Sequence, residues 1–200
     1  MEKHGIEKLL EFVRMQNAFR LVERVTYANG TDRMENDTEH SYNLAMLAWY
    51  VADSEKLDLD RNLVVKYALI HDLAEVYAGD TYIYSEDQGH LDSKAAREHA
   101  ALERLEMEFP GFTDFHELVD QYESRKDRES RFVYALDKIQ PVLHAFLDDG
   151  RIWREKNVTI AMLHDHKKDK VALSPEVKPY FDELIALLKE NENRLFGKGK

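Results

Sequence analysis

The chain has 200 residues, 44% of them hydrophobic, with 39 acidic and 28 basic side chains and a formal charge of −11. That length suits one domain able to bury a core without cross-links, and the absence of cysteine excludes disulfides, thiolate zinc sites and cysteine nucleophiles. The acidic balance disfavours a DNA or RNA polymer as ligand, because phosphate backbones attract basic surfaces, yet it leaves room for a small phosphorylated ligand at a local site.

Only four prolines and eight glycines interrupt the chain. Apolar residues recur at spacings of three and four, which predicts helices over about 4–20, 38–54, 60–78, 91–108, 114–124, 127–149 and 174–195. The expected fold is all-α, helices packed on helices. The first segment, "MEKHGIEKLLEFVRMQ", carries charges throughout its apolar pattern, unlike a signal or transit peptide. No run approaches the roughly 18 apolar residues of a membrane helix, so no membrane partner is expected and the chain is placed in the cytoplasm.

In the second helix His40, Leu44, Leu47, Ala48 and Val51 share one stripe, with His40 at its end. In the third, Val64, Ala68, His71 and Glu75 share a face, and Asp72 lies about 100° around from His71. In "RFVYALDKIQP", Val133, Leu136 and Asp137 face inward together, one turn before Pro141. The following tract, "LDDGRIWREKNVTIAMLHDHKKDKVALSP", is expected to be irregular or short extended structure. Its His164-Asp165-His166 is expected in a solvated loop. The last helix is expected to start with Ser174 as N-cap and Pro175 as first residue.

His40, His71, Asp72 and Asp137 are thus four inward-facing potential ligands from three helices. Two imidazoles and two carboxylates suit one divalent transition metal among Mn, Co, Fe, Ni and Zn, with Mg also admitted. A six-coordinate ion would keep two positions open for water or substrate, as a catalytic site requires. Asp72 and Asp137 crowd each other, so removing Asp72 is expected to stabilise the metal-free chain. His90, His99 and His116 are the remaining candidates for a second ion. Tyr82 and Tyr84, after Gly79-Asp80, are candidates to stack on a base.

The pattern H…HD…D resembles the HD-domain metal-dependent phosphohydrolases. "ENDTEHS" and "HDLAEVYAGD" extend the resemblance to the 5′-deoxynucleotidase-like (YfbR-like) branch, over roughly residues 5 to 150, leaving about 151–200 as a C-terminal helical extension of a single HD domain. The resemblance implies that His40, His71, Asp72 and Asp137 bind the metal. It places Glu75 near the attacking water or leaving oxygen, and Asp80 near the sugar or the site entrance. It also matches Lys94 and brings Arg24 to the phosphate, with Arg33 a second candidate. A guanidinium suits bidentate phosphate binding. The branch has Arg-Trp where this chain has Arg24-Val25, which leaves the preference between deoxyribose and ribose open.

The expected function is removal of phosphate from (deoxy)nucleoside 5′-monophosphates by a metal-activated water. The alternatives are an HD-type phosphodiesterase or pyrophosphohydrolase acting on cyclic nucleotides or guanosine alarmones, and a non-catalytic nucleotide-binding regulator. Amphipathic helices at both ends of the chain, and the resemblance, imply a homodimer.

Overall fold

The structure is a computed structural model that describes residues 5–197. Its helices are α1 (Gly5–Phe19), α2 (Asp37–Ser54), α3 (Arg61–Ile70), α4 (Glu75–Ala78), α5 (Gln88–Asp92), α6 (Lys94–Glu108), α7 (Thr113–Ser124), α8 (Arg128–Leu147), α9 (Arg151–Glu155), α10 (Ile160–Val171), α11 (Lys178–Glu190) and α12 (Glu192–Phe196). An antiparallel pair, β1 (Glu23–Tyr27) and β2 (Met34–Asn36), lies between α1 and α2. The all-α expectation holds, with this small sheet added. Residue 4, the expected start of the first helix, lies outside the described residues.

Local sequence explains where the site-bearing helices begin. Asn36 accepts a hydrogen bond from the Glu39 amide, and the Glu39 carboxylate accepts one from the Asn36 amide. This reciprocal capping box fixes the first turn of α2 and so fixes His40, the next residue. Asp60 caps α3 by accepting from the amides of Asn62 and Leu63. Asp127 caps α8 by accepting from the Ser130 amide.

α2, α3 and α8 pack on one another, and α10 and α11 pack on α8. Leu44, Val64, Ala68, Phe132 and Val133 are completely buried between them. Each fully buried Leu, Val or Phe contributes roughly 1.5–3 kcal/mol. One hydrophobic cluster runs from Leu44 through Leu136 to Leu195. A smaller one joins Met15, Leu105, Phe115 and Val119, tying together α1, α6 and α7.

Four expectations change. The third helix does not run continuously from 60 to 78. It ends at Ile70, and Leu73, Glu75 and Val76 instead donate to carbonyls three residues back, a tight turn of 3₁₀ type. The helix expected over 91–108 divides at Ser93, which lies between α5 and α6. The tract expected to be irregular forms α9 and α10, the latter capped by Thr159, which accepts from the Met162 amide. His164, Asp165 and His166 therefore sit on a helix and not in a loop. Finally, the Ser174 hydroxyl donates to the Glu176 carboxylate in a turn, and α11 begins at Lys178.

Candidate active site

The tight turn after α3 matters for chemistry. Adjacent side chains on a straight helix diverge by about 100°. Here His71 Nε2 and Asp72 Oδ2 come to 3.0 Å of each other. His40 Nε2 lies 3.2 Å from His71 Nε2 and 3.0 Å from Asp137 Oδ1. One atom from each of His40, His71, Asp72 and Asp137 falls within 4.8 Å of the other three. That is close to the ~4 Å that separates opposite ligands across a metal ion. So the four residues named from sequence converge, carried by α2, the turn after α3, and α8.

The donor set fits a divalent cation. His71 Nδ1 donates to the carbonyl of Ala68 at 2.8 Å, which orients the ring with Nε2 directed into the cluster, where a metal ion would displace its proton. His40 is fully buried, and its Nδ1 has no hydrogen-bond partner. Burial opposes a charge on His71, but Asp72 and Asp137 outweigh it and push the imidazole up to about 10. A site that holds a proton this firmly between two carboxylates is one that attracts positive charge. Burial penalises the Asp72 carboxylate and Asp137 repels it, as the crowding expectation has it, yet His71 and then Arg24 outweigh both and hold it well below the ordinary range.

A second carboxylate set, Asp37, Glu75 and Asp80, lies beside the first. Arg24, on β1, is surrounded by these acids. Its Nη1 is 2.9 Å from Asp72 Oδ2, 3.0 Å from Asp37 Oδ1 and 3.8 Å from Asp80 Oδ1. Burial works against the guanidinium charge, but Asp72, Asp80, Glu75 and Asp37 secure it. Glu75 is buried, with Oε2 unpartnered. Burial raises its pKa well above the usual value, and Asp72, Asp37 and Asp80 add to the effect. Burial, with Asp72 beside it, also outweighs Arg24 and pushes Asp37 up to about 6.

Asp80 reaches this group because Gly79 turns the chain at φ 73°, ψ 151°, a conformation that side chains other than hydrogen avoid. A Cβ there would meet no atom within 4 Å, so the only obstacle is the backbone itself. Gly79→Ala is accordingly expected to cost roughly 1–3 kcal/mol by denaturant unfolding. Arg97 holds the same loop, donating to the Ala78 carbonyl and, at 2.8 Å, to Thr81 Oγ1.

His71, Asp72, Glu75, Asp80 and Asp137 line a cavity of about 700 Å³, with His40 and Asp37 buried behind them, within the ~300–1,000 Å³ typical of small-molecule sites. Lys94 lines it and pairs with Glu98 at 3.2 Å. Tyr82 and Tyr84 line it too, packed edge to face with ring centres 5.6 Å apart. Arg33 does not reach it. That side chain is exposed on the turn between the strands and forms a two-pronged pair with Glu39. His90, His99 and His116 are not brought together: His90 meets Arg97, exposed His99 pairs with Glu103, and His116 meets the Phe109 carbonyl.

Sequence reasoning passed over Glu35, Asp37, Lys138 and Lys167. Glu35 is buried and lies 3.4 Å from His144 Nδ1. Lys138 binds Asp137 Oδ2. Asp37 and Glu35 stand inside "ENDTEHS", the segment that carries the family resemblance. Lys138 directly follows Asp137, and that adjacency was the available signal.

A profile described as "HD domain" matches residues 17–178. The chain belongs to the HD-domain family. This HD protein is 31% identical over 145 residues to human 5′-deoxynucleotidase HDDC2, covering 71% of this chain and 69% of the relative. It is 25% identical to the 5′-deoxynucleotidase YGK1 of Saccharomyces cerevisiae, over 78% and 76% of the two chains. Among solved structures it resembles that of a predicted metal-dependent phosphohydrolase from Magnetospirillum magnetotacticum MS-1. The TM-score is 0.80 and the identity 29%, over 94% of each chain. PH0347 of Pyrococcus horikoshii OT3 shares the fold, with TM-score 0.61 at 20% identity, over 93% of this chain and 99% of that one. None of the described helices of the HD protein is long and apolar enough to cross a membrane.

Proposed function

We propose that the protein is a metal-dependent phosphomonoesterase that hydrolyses (deoxy)nucleoside 5′-monophosphates. The observation that carries this reading is the convergence of His40, His71, Asp72 and Asp137 into one cluster, of which His71, Asp72 and Asp137 line a nucleotide-sized cavity, with Glu75 buried beside them. The relatives named 5′-deoxynucleotidase support the substrate class. His40, His71, Asp72 and Asp137 would hold the ion, and two nitrogens with two carboxylates favour Mn, Co, Fe, Ni or Zn over Mg. Bound there, such an ion would supply Lewis-acid chemistry, offsetting phosphate charge and lowering the pKa of a water. Glu75, raised in pKa by burial and by three acids, exchanges a proton with the attacking water or the leaving 5′-oxygen. Arg24 fixes Asp72 and Asp37 in place and offers its remaining donor edge to a phosphoryl oxygen. Asp80 and Lys94 border the cavity where the sugar would lie.

Metal-loaded protein should release inorganic phosphate from a panel of nucleoside monophosphates in the presence of Mn or Co. No release from any monophosphate sinks the proposal, and release of a nucleoside monophosphate from a cyclic nucleotide replaces it with a diesterase.

The same reading treats the chain as one domain, supported by the continuous cluster from Leu44 to Leu195, and has it act in the cytoplasm. It also includes a homodimer. Ile6, Leu9, Leu10 and Val13 form an exposed apolar stripe on α1, and Tyr42, Met46, Trp49 and Tyr50 another on α2. Light scattering is expected to give twice the 23.5 kDa of one chain, and a mass near 23.5 kDa at micromolar concentration rejects the dimer.

A further inference from the structure

α10 carries a cation that nothing in the hydrolytic reading uses. Lys167 is only 5% exposed, yet it lines the cavity. The other cations lining that cavity are engaged. Arg24 meets Asp72 and Asp37, Lys138 meets Asp137, Lys94 meets Glu98, Lys170 meets His166, and Arg125 meets Glu123 while stacking on Tyr122. Among the described residues, no hydrogen bond or ion pair reaches the Lys167 ammonium.

Its surroundings are positive. Burial lowers its pKa to about 7, and Lys138 and Lys170 add to the effect, with Asp137 the carboxylate that opposes them. Burial likewise lowers Lys170 to about 8, with Lys138 and Lys94 contributing. Lys138, Lys167 and Lys170 line one cavity and repel one another's charge, and an anion entering the cavity relieves that repulsion.

We propose that Lys167, flanked by Lys138 and Lys170, is the anion seat of the cavity and binds the phosphoryl group of the substrate. This inference rests on the phosphomonoesterase reading for the identity of the anion. The roles divide by chemistry. Carboxylates and imidazoles supply the cation site, and an unpaired ammonium on α10 supplies the complementary charge for phosphoryl oxygens that the cation does not reach. Lys167 is thus a substrate-binding residue.

The test compares metal-loaded, full-length wild type with Lys167→Met and Lys167→Arg. Inorganic phosphate binding is measured by calorimetry, hydrolysis with 2′-deoxyadenosine 5′-monophosphate, and binding of deoxyadenosine serves as the control without a phosphate. A charge-assisted hydrogen bond corresponds to a change of roughly ten- to a hundredfold. Lys167→Met should weaken phosphate binding and raise KM by that factor, leave deoxyadenosine binding and metal content unchanged, and melt at a higher temperature than wild type without phosphate. Lys167→Arg should recover most of the phosphate affinity. Unchanged phosphate binding in Lys167→Met overturns the proposal. So does an equal loss for deoxyadenosine, which marks a structural role. Should Lys167→Met not fold, Lys170→Met carries the same comparison, and unchanged phosphate affinity there overturns the proposal as well. Lysine-dependent phosphate binding in a wild type that hydrolyses no monophosphate refutes the enzymatic reading and leaves the anion seat standing.

Discussion

Asp72→Ala is expected to lose divalent metal and phosphatase activity together, with turnover falling below detection at stoichiometric metal. Asp72 Oδ2 lies 3.0 Å from His71 Nε2 and 3.6 Å from His40 Nε2, so its removal takes one of four donors from the cluster. It also releases Arg24, whose shortest contact is with that same oxygen. The freed guanidinium keeps Asp37 but can swing toward the site, adding a positive charge where a cation should sit. Elemental analysis of the purified variant, run on the samples used for turnover, checks the result. An Asp72→Ala protein that retains stoichiometric metal removes Asp72 from the ligand set.

The stability of the metal-free variant is informative in its own right. An acid whose folded pKa is depressed contributes stability above its unfolded pKa and loses it as pH falls through the folded value. Asp72 is such a group, held down by His71 and Arg24 against the effect of burial. Metal-free Asp72→Ala should therefore melt below metal-free wild type at pH 7, and the difference should shrink as the pH drops below the ordinary carboxylate value of 3.8. A higher melting temperature for the variant at pH 7 would restore the crowding argument.

Glu75→Gln should keep the metal and lose activity by roughly 10²–10⁴, the scale of general acid–base catalysis. The amide fills the same volume, so the packing around this buried side chain survives. What disappears is a carboxyl that can exchange a proton. Burial, Asp72, Asp37 and Asp80 all raise its pKa and so favour the protonated form needed to donate to a leaving oxygen. The loss should appear in kcat, with KM little changed. A Glu75→Gln enzyme with full metal and full activity would leave Glu75 as a buried structural acid. One without metal would make it a ligand or a support for one.

Much of the site was legible because periodicity and chemistry coincide. His40 ends the buried stripe of Leu44, Ala48 and Val51, and Asp137 follows fully buried Val133 and Leu136. A polar residue on such a stripe must face inward, so the helical period alone aims it at the core. The absence of cysteine was equally local. From these the helical class, the imidazole–carboxylate chemistry and the exclusion of thiolate sites followed without coordinates.

Other features depended on long-range contacts. The hairpin that carries Arg24 is too short to show alternation, and Arg24 acquires its role only by meeting Asp72, 48 residues away, and Asp37. Arg33 looks equivalent in sequence but is captured by Glu39 six residues on. "HDHKKDK" reads as a solvated run of charge, because nothing local tells that α8 covers one face of that helix and leaves Lys167 at the cavity. Local sequence determined which side chains turn inward, since that depends on period and capping. Only the tertiary structure decided which of them meet and which cation is left without a partner, because burial and charge pairing depend on what the rest of the chain brings alongside.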